Sequence, residues 1–393
     1  MLPPVEIRTR VTPPAGGQGS GALKWEEAGA GAIGAGTAEM DVGTAPPVLE
    51  ALRRAVTDGL VGYLPAALDA RLREACAGWL WSSQGWAVDP ALIQPVPSVL
   101  HGLRVTIERY TPPGSAVIVP VPAYPPFLAV PGLLGRQVLP VPLVDVNGRP
   151  ELDLDGIDGA FRRGGGLVVL CNPHNPVGRV FTPAELLALS AVVNARGGRV
   201  FADEIHAPFV YPGRRHQPYA ALSPLTASHT LTATSASKGW NIAGLRCALL
   251  ITSHDDDLAQ WRGLGRFDRE TPSVLGAIAS TAAFRDGVPW LRRVLAGLAT
   301  NRRAFGDLLA EFLPEVTYRP PEATYLAWLD CRRLTLGGTE PAAFFSALAG
   351  VSLLEGSDCG SPGRGFARFN FATEPWVLVE ALRRMATAVA DAG

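Results

Sequence analysis

The chain has 393 residues, of which 47% are hydrophobic and 18% charged, with a formal net charge of −1. That length supports two or three folding units around a large buried core, and the charge balance excludes a disordered tail protein and a nucleic-acid binder working through bulk charge. Gly (43) and Pro (35) are frequent but follow no period, which excludes collagen.

Lys and Arg total 35, yet only Lys24 and Lys238 are lysines. GC-rich codon usage accounts for the shortage. It still reduces the search for a catalytic lysine to two residues. The five cysteines form no CxxC pair and are odd in number, so neither a disulfide framework nor a zinc ribbon is expected, and a reducing cytoplasm is the default. The six histidines show no HExxH pattern, so no protein-ligated metal is expected. Residues 1–10 carry Glu6, Arg8 and Arg10 with no apolar stretch, and no uncharged apolar run is long enough for a membrane span.

In chain order, 11–22 (VTPPAGGQGSGA) reads as a flexible lead-in. A helix is predicted over 46–58, opened by Pro46-Pro47 and ending before Gly59, with Val48, Leu49, Leu52 and Val56 on one face. A second helix over 65–81 repeats the pattern with Leu68, Leu72, Cys76 and Trp79. Between about 90 and 255, short apolar runs alternate with helical stretches: AVIVPVP, QVLPVPL, GLVVLCN, GRVFADE, LTATSAS and CALLITS. Thr182-Pro183-Ala184-Glu185 is a capping box with Pro at the first helical position, and Gly197 stops that helix. This texture predicts an α/β fold with a mostly parallel sheet. A long helical period covers about 288–313 through Leu291, Val294, Leu298, Phe305, Leu308 and Phe312. After it TYLAWLD, VSLLEG and FARFNFA suggest a smaller α+β unit. The expected division is 1–44 joining the small domain, 45–287 as the large domain, and 288–393 as the small one.

Polar clusters follow several apolar runs, where ligands bind in open α/β sheets. They are Ser98-Val99, Tyr124-Pro125-Pro126, the string 172–178 (NPHNPVG), Asp203-Glu204-Ile205-His206 and Ser235-Ala236-Ser237-Lys238, followed by Arg246 and Arg368-Phe369-Asn370. The order and separation of CNPHNPVGR, DEIH and SASKGWNIAGLR resemble the fold-type-I pyridoxal phosphate enzymes. More narrowly, the chain resembles the cystathionine β-lyase-like (MalY/PatB-type) C–S lyase branch of the class I/II aminotransferase superfamily. The narrower match rests on NPHNPVGR, DEIH, the KW at 24–25, the A-x-M-D at 38–41 and Tyr-Pro-Pro-Phe at 124–127.

The resemblance implies an aspartate-aminotransferase-like fold, pyridoxal 5'-phosphate as cofactor, and a homodimer with shared active sites. It assigns Lys238 as the residue that holds the cofactor covalently and then acts as general base at the substrate Cα. Asp203 keeps the ring nitrogen protonated. Asn175 faces the ring phenolate, Tyr124 stacks on the ring, and His206 sits near the cofactor or serves as a satisfied buried histidine. Ser235, Ser237, Arg246 and the backbone at Ser98 and Val99 form the phosphate cup, although PVPSVL lacks the usual glycine. Tyr63 reaches the neighbouring subunit's phosphate, and Arg368 clamps the α-carboxylate with its two-pronged guanidinium. Asn172 reads as turn chemistry, and Lys24 as packing.

Two departures from the branch bear on substrate. Gly36 and Glu39 replace an aromatic and an Asp, and Gly239-Trp240 replaces a small polar residue and Phe. Placed near the active-site mouth, they predict a reshaped pocket that takes a bulky S-conjugate. The expected activity is β-elimination from a cysteine S-conjugate to thiol, pyruvate and ammonia. The alternative is transamination or a decarboxylating or oxidative outcome on the same cofactor. A cofactor-binding regulator would need an N-terminal DNA-binding domain for which no room is seen before residue 20. A catalytically dead homologue conflicts with the filled chemical positions.

Overall fold

The computed structural model describes residues 22–392, so the lead-in expected at 11–22 lies outside the described residues except for Ala22. Seven strands form the central sheet. Their spatial order is Ile93–Val96, Ala248–Thr252, Thr230–Thr234, Arg199–Asp203, Gly165–Cys171, Ala116–Val121 and Val138–Pro142. Ala248–Thr252 runs antiparallel to both neighbours and the other pairs are parallel. Six of the seven are the apolar runs picked out in the sequence. The seventh, Ile93–Val96, is missed there because Pro95 reads as a strand breaker. At a sheet edge a missing N–H costs no ladder bond, which lets Pro95 stay.

The strands read as continuous apolar runs because both faces are covered. Side chains alternate between two cores. Val117, Val119, Val169 and Phe201 meet Leu103, Ile107 and Phe127 on one side. Ile118, Val168, Val200 and Ala202 meet Ile157, Phe161, Leu186 and Leu189 on the other. The helix Pro183–Ala195 starts as expected: Thr182 and Glu185 cap each other, Pro183 fills the first position, and Gly197 takes a φ of 60° just past its end. A hairpin, Val144–Val146 with Arg149–Glu151, was not foreseen. Its Asn147-Gly148 turn has positive φ at both residues, the form that suits the twist of a hairpin. The three residues of its first strand, Val144–Val146, are all exposed, and the strand is too short for its alternation to stand out.

The helix Pro46–Thr57 buries Val48 and Ala55 and half-buries Leu52. Leu49 and Val56 do not join that face: they remain 39% and 59% exposed, one heptad apart on a flank that this chain leaves uncovered. The helix Ala66–Gln84 buries Leu72, Cys76 and Trp79 as expected.

The helix Val288–Phe312 leads to a second, antiparallel sheet ordered Thr317–Tyr318, Leu326–Asp330, Phe366–Asn370 and Leu354–Glu355. Phe305 of the long helix packs on Phe369 at a ring distance of 4.8 Å. Leu378, Leu382 and Met385 of the last helix, Pro375–Ala392, are fully buried in the same core. Near the start of the chain, Ile33–Gly34 pairs in parallel with Val351–Ser352. At Gly178, φ is +70° and a Cβ would lie 2.2 Å from Pro321, so only glycine lets the 172–178 loop press against the second sheet.

Candidate active site

A cleft of about 530 Å³ opens where the parallel strands of the central sheet end, between that sheet and the second one. It is lined by Ser98, Val99, Tyr124, Asn175, Asp203, His206, Ser235, Ser237, Lys238, Arg246 and Arg368. Every site residue expected from the sequence is therefore brought together except Tyr63. That side chain is 90% exposed and lines no part of its own chain's cleft.

The sequence explains how each group arrives. Asp203 is the last residue of its strand, paired across the ladder with Cys171 on one side and Ala233 on the other. Thr230–Thr234 hands over to Ser235, which caps the short helix Ala236–Gly239 that carries Lys238. Ser98 caps the helix Val99–Arg109 through a bond from the His101 amide, leaving that helix N-terminus facing the cleft. On the strand Phe366–Asn370, alternation sends Ala367 and Phe369 into the core and Arg368 and Asn370 toward the cleft.

Segment 36–40 forms one wall, and its backbone is gripped residue by residue. Arg368 Nη2 donates to Gly36 O at 2.8 Å. Asn370 Nδ2 donates to Thr37 O and Glu39 O, and Asn241 exchanges bonds with Met40. Lys238 Nζ donates to Ala38 O at 2.9 Å, and the Tyr325 hydroxyl donates to the same oxygen at 3.0 Å. Tyr325 and Asn370 had not been assigned a role from the sequence; a polar residue alternating with core positions on a strand was the available signal for Asn370.

Burial sets the charges. Lys238 is pushed down to about 8 by desolvation and by the Arg368 charge. Asp203 is pushed up to about 7 by burial, although the Ile205 amide donates to it at 3.1 Å. His206 falls to about 3 for lack of solvent, with the Lys238 and Arg368 charges adding to the effect, so it is neutral and its Nδ1 has no partner. Burial raises the Tyr124 hydroxyl. Arg368 is 3% exposed, gives Nη1 to Asn175 Oδ1 at 3.0 Å, and leaves Nε without a partner. A buried carboxylate short of a cation and a buried guanidinium with a free donor suit a ligand that brings a ring N–H⁺ and a carboxylate. Ser235 differs from the other cup residues. Its hydroxyl donates to Cys247 O at 2.6 Å and accepts from the Ser237 amide, so it has no hydrogen left for a phosphate.

Three sequence expectations change. Trp240 is fully buried, edge-on to Trp79 at 5.2 Å and to Phe284 at 5.5 Å, so it builds the core and not the cleft mouth. Gly36 lines the cleft, but a Cβ there would point at the Leu353 backbone 3.2 Å away; its small size serves close approach of two segments instead of widening the pocket. The Glu39 side chain stays outside the lining and accepts from the Lys24 amide at 3.4 Å. Asn172 accepts from the Phe181 amide at 3.1 Å, holding its loop as expected. Lys24 packs as expected, 1% exposed, with Nζ 2.8 Å from Asp41 Oδ2.

The family profile described as aminotransferase class I and II matches residues 32–384. The cystathionine beta-lyase of Corynebacterium glutamicum is 36% identical over 93% of this chain and 96% of its own. The cystathionine beta-lyase PatB of Bacillus subtilis is 31% identical over 94% of this chain and 97% of its own. The crystal structure of the PLP-bound C-S lyase from Staphylococcus hominis aligns with a TM-score of 0.85 at 27% identity, covering 92% of this chain and 94% of that one. The α/β architecture is the aspartate-aminotransferase-like fold expected from the sequence. With its cleft at the strand ends and, among the described residues, a single lysine lining it on the helix after Thr234, the chain belongs to the aminotransferase class I and II family, in the branch of the cystathionine β-lyases.

Proposed function

We propose that this protein is a pyridoxal-phosphate-dependent C–S lyase that releases thiol, pyruvate and ammonia from a cysteine S-conjugate. The observation that carries the reading is the convergence of Lys238, Asp203 and Arg368 on one cleft, in a chain over 30% identical to cystathionine β-lyases. When bound, pyridoxal phosphate supplies an electron sink for the negative charge that builds at the substrate Cα.

The residues then divide the work. Lys238 holds the cofactor and moves the Cα proton; its basicity, lowered to about 8, gives a larger neutral fraction near neutral pH than an ordinary lysine has. Asp203 keeps a proton on the ring nitrogen by meeting it with a buried negative charge. Asn175, whose Oδ1 is taken by Arg368, turns its amide hydrogens to the ring oxygen. Tyr124 would offer its ring to the cofactor from the cleft lining, and His206, neutral there, would add no charge beside it. The N-terminus of Val99–Arg109, Ser237 and Arg246 hold the phosphate, while Ser235 shapes the turn that presents Ser237. Arg368 takes the α-carboxylate through its free edge, which fixes the Cα–H bond toward Lys238. Loss of that proton and departure of the thiolate from Cβ leave a dehydro-amino acid that water converts to pyruvate and ammonia.

The working form is a homodimer in which Tyr63 of one protomer reaches the phosphate of the other. Support comes from the exposed Leu49, Val56, Val61 and Tyr63, an apolar run that a second copy can cover. Residues 45–287 act as the cofactor-binding unit, with 288–393 and 1–44 closing the cleft. Cytoplasmic residence fits five free, buried cysteines, and among the described residues no helix is long and apolar enough to cross a membrane.

The test is product analysis with a cysteine S-conjugate. Equal amounts of free thiol and pyruvate support elimination. A keto acid that keeps its sulfur substituent, without thiol, points to transamination and overturns the reading.

A further inference from the structure

The lining of the cleft holds five charged side chains once His206 is neutral. Lys238, Asp203, Arg246 and Arg368 have tasks toward cofactor and α-carboxylate. Glu27 has none. It lies in the last turn of the helix Leu23–Ala28, where a carboxylate gains nothing from the helix dipole, and it makes no ion pair among the described residues. Its Oε2 instead accepts a 2.5 Å bond from the Thr37 hydroxyl, which holds this exposed carboxylate beside segment 36–40 on the cleft lining. Beside this segment the lining is apolar, with Leu353 and Leu354 packed against Gly36. Among the described residues no further arginine lines the cleft to receive a distal carboxylate.

We propose that Glu27 selects the substrate's leaving group, so that the enzyme prefers cysteine S-conjugates whose sulfur substituent is an apolar arm ending in a cation such as an ammonium. This deepens the lyase reading and rests on it. The apolar wall accepts the arm, and the acid meets its charged tip. An arm ending in a carboxylate meets the same acid and is rejected.

Three conjugates of near-equal length test the idea: S-(3-aminopropyl)-, S-butyl- and S-(2-carboxyethyl)-cysteine, with thiol release by the holoenzyme as readout. The expected order of kcat/KM is aminopropyl, butyl, carboxyethyl, each step about three- to fivefold as for an exposed ion pair at the upper end of its range. Salt should compress the differences. Glu27→Gln should lower the aminopropyl value and raise the carboxyethyl value, so that the charge ranking collapses. A ranking that Glu27→Gln does not alter would overturn the proposal. Cleavage of none of the three would overturn the lyase reading instead. In that case calorimetric binding of the same conjugates to Lys238→Ala protein loaded with pyridoxal phosphate still decides: charge ranking supports Glu27, and equal affinities refute it.

Discussion

Lys238 donates its ammonium to the carbonyl oxygen of Ala38 at 2.9 Å, across 200 residues of sequence. The Tyr325 hydroxyl donates to the same oxygen. The amine is thus held in the cleft by backbone, in a position where burial and Arg368 disfavour its charge.

That environment predicts a pH dependence. Because the amine falls to about 8, the neutral form that can attack an aldehyde accumulates as pH rises through that value. Covalent loading of cofactor-free protein should therefore quicken from about pH 7 to about pH 9 and then level off, well before an ordinary lysine would respond. Following the cofactor absorbance over time checks this. A midpoint near the usual lysine value would show that burial does not act on the amine.

Arg368→Ala should lower kcat/KM by about 10²- to 10³-fold, as expected for losing two charge-assisted bonds of about 1.5–3 kcal/mol each in part. Arg368→Lys should restore little, since an ammonium cannot hold Asn175, Gly36 and a carboxylate in one plane. Steady-state kinetics with a cysteine S-conjugate decide, and a lysine variant with unchanged kcat/KM places the carboxylate site elsewhere.

Trp240→Ala should cost about 3–5 kcal/mol, the range for removing a buried aromatic ring. Trp240→Phe should cost much less, because the indole Nε1 has no partner to lose. The phenylalanine variant should keep kcat/KM within about twofold, since Trp240 lies outside the cleft lining. Denaturant midpoints and kinetics measured together separate a core role from a pocket role; lost activity with unchanged stability would return the ring to the pocket.

Lys24→Ala leaves Asp41 without its cation and should destabilise the protein by about 3–5 kcal/mol, as for breaking a buried pair. Asp41 keeps a bond from Trp25 Nε1 at 2.9 Å, so Lys24→Met with Asp41→Asn should recover part of the loss. Both variants should still bind cofactor covalently. Thermal unfolding and absorbance check the pair.

Much of this was legible in the sequence because the central sheet is buried on both faces. Its strands must be apolar runs, and the polar residues at their ends must then be there for a ligand. Asp203 after GRVFA follows that rule, whereas Ser235 after LTAT marks a strand end but caps the helix that carries Lys238. The edge strand Ile93–Val96 escaped because Pro95 is permitted only by its edge position, which is a tertiary fact. Trp240 was misplaced because distance along the chain from Lys238 says nothing about direction: two residues on, just past the helix end, the side chain points into the Trp79–Phe284 core. The grip on Ala38 by Lys238 and Tyr325 joins three distant segments, and no local pattern encodes it. Glu27 belongs to no motif in the sequence, and only the fold sets it at the cleft.

With only two lysines in the chain, one measurement tests the centre of this reading. The holoenzyme is reduced with borohydride, which fixes the bond between cofactor and amine, and is then mapped by peptide mass. All of the added cofactor mass should fall on Lys238 and none on Lys24. An adduct on Lys24, or an adduct that persists unchanged in Lys238→Ala, contradicts it.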